Sequence, residues 1–176
     1  MYLDEFVKYK DQLISDLLGN PEIVRLLSDK YEVNTPEDPA DLLRTQIFPY
    51  EYIPETVDYG KTFICFDVDI SRMSDRREAP SNKMIYSPVL YIWLFTHKSL
   101  LWLPGVGVRT DQLAMEIAKT INGSHMYGMG NLELYSVKRF APAMDYQGKV
   151  MTFDATDWNH PNPTGKPRPS NRRLGV

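Results

Sequence analysis

The chain of 176 residues holds a single cysteine, Cys65. One thiol excludes an internal disulfide and a cysteine-based zinc site, and it fits a reducing compartment. Long apolar runs are missing as well. The longest, Val89–Phe95 (VLYIWLF), is far short of the roughly 20 residues a bilayer-spanning helix needs. The opening, MYLDEF, is acidic and has neither a basic n-region nor an apolar h-region. The expectation is therefore a soluble protein made in the cytoplasm.

Catalytic patterns are equally scarce. His97, His125 and His160 are the only histidines, and none sits in an HxH or HxxxH spacing. A zinc or acid–base site would need partners gathered by the fold, so structural or surface histidine is the plainer reading. There is no GxSxG, and Cys65 lies in a strand pattern as a small core residue would. Gly105-Val-Gly107 and Gly128-Met-Gly130 lack the further glycine or the Lys-Ser/Thr of a phosphate loop and read as tight turns. Asp67 and Asp69 share one strand face, and Asp154 with Asp157 could join them. That is the basis of one alternative, a metal-dependent hydrolase or nuclease using Asp67, Asp69 and Asp154. The plainer reading is a solvated strand face.

Charge of one sign is also missing from the body. The net charge of −3 balances a tail of +4 (Lys166, Arg168, Arg172 and Arg173, with no Asp or Glu after Asp157) against −7 for the rest. An acidic body is a poor partner for duplex DNA. The basic tail could touch phosphates or dock on the acidic body of a neighbouring copy.

What is present is strand, helix and aromatic surface. Leu3, Phe6, Val7, Leu13, Ile14, Leu17 and Leu18 follow a helical period and predict a helix over about 2–18, stopped by Gly19. Asn20-Pro21 is a cap followed by proline at the first helical position, opening a second helix to about Asp29. Asp38-Pro39 repeats the signal for a short turn of helix to about Thr45. Pro49 and Pro54 bracket an aromatic segment suited to an edge or arm. Thr62–Ile70 reads as a strand with Ile64, Phe66, Val68 and Ile70 on one face and Cys65, Asp67 and Asp69 on the other. Ser71 to Asn82 is a loop or hairpin tip leading into a strand over Tyr86–His97. That strand is apolar at both odd and even positions, which predicts cover on both faces, by helices of the same fold or by another subunit.

Lys98 to Val108 is broken by Pro104, Gly105 and Gly107 and reads as a loop that leaves Leu101, Trp102 and Leu103 at the surface. A helix over about 111–122 follows, with Thr110 as the expected N-cap and Leu113, Ala114, Ile117 and Ile121 as its core stripe. Ser124–Gly130 is expected to be a mobile loop. Leu132–Phe140 and Lys149–Ala155 are strands joined as a hairpin. From Asn159 onward four prolines and the four cations predict an extended or disordered arm, about 50–60 Å long if polyproline-like. The fold class is thus α+β. A mixed or antiparallel sheet of about four strands with a long hairpin packs on a central helix and the N-terminal helices. The domain spans 1–158 (a helical part to 45, then the sheet and helix core), and the arm is 159–176.

The run YIWLFTHKSLLWLPGVGVRTDQLAMEIAKTINGS, followed by GMGNLELYSVKRF and YQGKVMTFDATDWN, resembles the neck and tail-completion proteins of tailed bacteriophages and prophages, particularly tail terminators. The resemblance covers about residues 60–158. It implies a structural virion protein with no catalytic residue and no cofactor. Copies, typically six, would close into a ring that caps the tail tube and joins it to the head connector. The partners implied are therefore the chain itself, tail-tube proteins and head-connector proteins, with no membrane and no sequence-specific nucleic acid. A head-completion or stopper protein is the neighbouring alternative. Leu101, Trp102 and Leu103, with Lys166, Arg168, Arg172 and Arg173, are the candidate interface residues. A modulator of a host protein is a further alternative.

Overall fold

A computed structural model describes residues 3–28, 39–52, 60–72 and 86–156. The elements follow the expected α+β order: α1 (Leu3–Gly19), α2 (Pro21–Leu27), a 3-10 turn (Pro39–Leu42), β1 (Ile47–Phe48), β2 (Thr62–Arg72) and β3 (Tyr86–His97). After these come β4 (Trp102–Leu103), β5 (Gly107–Val108), α3 (Arg109–Ile121), β6 (Asn131–Phe140) and β7 (Tyr146–Thr156). The expected cap at Asp38, the tip of the β2–β3 hairpin and the arm 159–176 lie outside the described residues.

The sheet has five strands in the order β1-β2-β3-β7-β6, one more than expected. The addition is β1, a two-residue edge strand parallel to β2 with Ile47 opposite Ile64. All other pairings are antiparallel. The long hairpin is β2–β3, registered from Thr62 opposite Thr96 to Arg72 opposite Tyr86. It is lengthened because Ser71 and Arg72, expected in a loop, continue β2. The β6–β7 hairpin closes over a loop where Lys98 N donates to Asp145 O at 2.8 Å and the Lys98 ammonium pairs with the Asp145 carboxylate. That hydrogen-bonded cation holds the exposed Asp145 below the usual carboxylate range.

Side-chain alternation divides the sheet into two unequal faces. Ile64, Phe66, Leu90, Ile92, Leu94, Met151 and Phe153 lie on the helix face and are fully buried. They pack against Leu13 and Leu17 of α1, Ile23, Leu26 and Leu27 of α2, and Leu113, Ile117 and Ile121 of α3 in one core. The opposite face holds a smaller aromatic cluster at one end: Phe48, Phe63, Cys65, Phe95 and Tyr146, with Tyr52, Trp93 and Phe140 against it. Phe48 stacks on Tyr52 with ring centroids 4.1 Å apart. Double cover of β3 is thus complete on one face only. On the other, Phe95 is buried while Val89, Tyr91 and Trp93 are half-buried.

Two buried polar side chains hold the helical layer down. Arg109, at the first position of α3, donates from Nε to Leu100 O (2.8 Å) and from an Nη to Leu26 O (2.6 Å) and Ser28 O (3.3 Å). Gln46 donates to Leu27 O (2.6 Å) and Thr62 O (2.9 Å). The last carbonyls of a helix have no partner within it, and here cation and amide groups from distant segments satisfy those of α2. Arg109 also shifts the start of α3. The helix begins one residue before the expected cap Thr110, which is buried, and its N-cap Val108 makes no side-chain cap bond. At α2 the expectation holds, with Asn20 Oδ1 accepting from the backbone N–H groups of Glu22 and Ile23.

Candidate functional site

The Lys98–Val108 segment is more ordered than a loop. Lys98–Leu100 form a 3-10 turn capped by His97, and Trp102–Leu103 pair with Gly107–Val108 in a small ribbon. Gly105 (φ 73°) and Gly107 (φ 111°) supply the left-handed backbone that turns it. The ribbon separates the three expected surface residues. Leu103 is buried in the main core, Leu101 is half-buried, and Trp102 alone stands out, 69% exposed. Strand alternation is the reason, since adjacent residues on a ribbon point to opposite sides. The turn rests on α3, where Gln112 donates to Val106 O at 3.3 Å. Val106 and, one turn further along α3, Met115 are exposed too.

Ser124–Gly130 also departs from expectation. Tyr127 and Met129 are buried in the main core, and the Tyr127 hydroxyl donates to Asp16 on α1 at 2.8 Å. Glycines at 123, 128 and 130, all with positive φ, let the segment fold inward. It is a plug between α1 and the sheet.

The three aspartates of the hydrolase alternative do not converge. Asp67 is engaged by α1, with Lys10 Nζ at 3.3 Å and the Tyr9 hydroxyl donating at 3.4 Å. Asp69 and Asp154 both oppose Val89, from β2 and β7. Strands are about 4.8 Å apart, so one whole strand, about 10 Å, separates the two backbones. Among the described residues no three His, Cys, Asp or Glu side chains are grouped to hold a metal ion. His97 Nδ1 is committed to Ser99 at 2.7 Å and its ring meets Tyr146 edge-on. His125 is exposed, and His160 and Asp157 lie outside the described residues. Burial pushes the Cys65 thiol up to about 12, which keeps it protonated and unreactive at neutral pH. Among the described residues no helix is long and apolar enough to cross a membrane.

Among the described residues three exposed surfaces stand out. One is the Trp102 ribbon. Another is β6, the last strand of the sheet, where Tyr135 is 74% exposed at a bulge between Leu134 and Ser136 and Val137 is exposed beyond it. Sequence reading had no reason to single out β6, because an edge strand and a central one share the same alternation. The third is the open half of the sheet, where Tyr91 and Trp93 stack with centroids 5.7 Å apart and planes 15° from parallel. Lys166, Arg168, Arg172 and Arg173 lie outside the described residues.

The described residues thus define an α+β chain with a long hairpin, one helix-covered sheet face and exposed aromatic side chains on the Trp102 ribbon and β6. The YomW family model matches residues 20–155, and the chain belongs to the YomW family, which is phage-derived. Searches of the curated proteins and of the solved structures return no match.

Proposed function

We propose that the protein is a structural component of a tailed-phage or prophage virion, a tail terminator that joins the tail tube to the head connector as a ring, with six copies as the expected number. The observation that carries the reading is the contrast between a self-satisfied polar interior and large apolar side chains left in water. Trp102, Tyr135 and Met144 are each more than two-thirds exposed, and such side chains gain most when another surface covers them. A closed ring needs two different patches on one protomer that fit each other. The Trp102 ribbon and the bulged β6 edge are two such patches on separate elements. Membership of a phage-derived family supports the same reading.

Deletion of the gene from its phage or prophage, followed by electron microscopy of the lysate, tests it. A tube without its cap cannot stop growing or attach, so unjoined heads and tails of irregular length are expected. Heads emptied of their contents beside tails of normal length would point to the stopper position instead. Intact infectious particles would overturn the reading.

A further inference from the structure

The open sheet face has an ordered pattern across its strands. One cross-strand row reads Asp69, Val89, Asp154 and Glu133 from β2 to β6. Asp69 and Glu133 are exposed and Asp154 is half-buried. The next two rows toward the aromatic cluster, each about 7 Å further on, bring Tyr91 and then Trp93 on β3, stacked and half-buried. The face is therefore an acidic rim beside an aromatic floor. That combination suits a cationic, proline-containing strand: prolines lie flat on aromatic rings, and the cations meet the carboxylates.

The chain itself carries such a segment. Beyond β7 it continues for 20 residues, with prolines at 161, 163, 167 and 169 and cations at 166, 168, 172 and 173. We propose that residues 159–176 of one copy dock on the open sheet face of a second copy, prolines over Tyr91 and Trp93 and cations against Asp69, Asp154 and Glu133. Geometry selects the second copy over the chain's own face. β7 ends at Thr156, two residues and about 7 Å past Asp154 and the acidic row. Prolines bias their neighbours to extended backbone, and at about 3.1 Å per residue Lys166 lies on the order of 35–40 Å beyond that row, with Arg172 and Arg173 further still. An extended tail of that reach would carry its cations past its own carboxylates and toward a neighbour's. This deepens the self-assembly part of the proposed function and rests on that reading for the expectation that copies meet.

The test uses two full-length variants with reversed charge, Asp69→Lys/Asp154→Lys on the face and Arg172→Glu/Arg173→Glu on the tail. Sedimentation of the unmodified chain should show self-association that weakens at least tenfold between 50 and 500 mM salt. Each variant alone should associate at least tenfold more weakly, and an equimolar mixture should recover association, because a reversed face then meets a reversed tail. A synthetic peptide of residues 159–176, titrated into the tail variant, should shift the Trp93 indole signal, and Trp93→Ala should abolish the peptide's binding. Association unchanged in both variants, or a peptide that binds the face variant as well as it binds the tail variant, would overturn the docking. So would a chain that stays monomeric and ignores the peptide. Those failures leave the virion reading standing, since gene deletion tests it separately.

Discussion

The two faces of the sheet are built from the same strands but serve different ends. On the helix face of β3, Leu90, Ile92 and Leu94 are fully buried among three helices. On the other face, one residue along, Val89, Tyr91 and Trp93 are half in water, with Asp69 and Asp154 on either side of Val89 and Asp67 beside Tyr91. Among the described residues, Phe95 and the cluster around it close that side. The helix face holds the main core of the protomer, whereas the other face and the β6 edge leave aromatic side chains wholly or partly in water. Continuous hydrophobicity in a strand therefore does not by itself mean full burial on both faces.

The sharpest way to break the comparison is at the seam the two faces share. A Cβ on Gly148 would lie 2.0 Å from Leu94 O and 2.6 Å from Phe95 Cβ, so β7 could not remain paired with β3. Gly148→Val should cost about 4–5 kcal/mol or abolish folding, read from urea denaturation. On the helix face alone, Ile92→Ala should cost about 3–4 kcal/mol, against about 1 kcal/mol for Tyr91→Ala next to it, whose ring is already half in water. Equal losses would mean that the faces are not unequal. Arg109→Met removes the donor to Leu26 O, Ser28 O and Leu100 O while keeping much of the apolar stem. A loss of about 2–3 kcal/mol is expected from the stranded buried carbonyls.

Ionisation gives a smaller effect with a definite sign. Burial raises the Cys65 thiol from 9.0 to about 12. Burial, then the nearby Asp67, raises the Tyr9 hydroxyl, and burial with the hydrogen bond to Asp16 raises that of Tyr127. Above pH 9 the unfolded chain gives up these protons and the folded one keeps them. Stability should then be level below about pH 8 and fall by about 1.5–2 kcal/mol from pH 9 to 10. A rise over that interval would contradict these burials. Trp102→Ala should be the mildest, within about 0.5 kcal/mol in the purified protein, while Leu103→Ala beside it should cost about 2–4 kcal/mol.

Local pattern made the elements legible. Tyr86–His97 is a strand with the ends its composition marks, and Asn20-Pro21 opens α2 as its cap chemistry dictates. The helix stripe Leu113, Ala114, Ile117 and Ile121 is buried as its period implies. Readings failed where distance along the chain decided the outcome. Nothing around Arg109 announces that its guanidinium will close the end of a helix some 80 residues earlier. Nor does the glycine-rich 124–130 stretch disclose that Tyr127 and Met129 will fill a gap beside α1. The burial of Leu103 follows from a ribbon only two residues wide on each strand, too short for alternation to register. Of the candidate interface residues, the exposure of Trp102 was legible, because an aromatic beside Pro and Gly is a local signal. The open sheet face was not, because it depends on which strands become neighbours.

The central claim is that this chain is a part of a virion, built to be covered by other subunits. Labelling the protein at one exposed site and imaging purified particles tests that most directly. The account predicts a collar of label at the junction of head and tail, in several copies per particle. Particles free of label, with the protein left entirely in the soluble lysate, would contradict it.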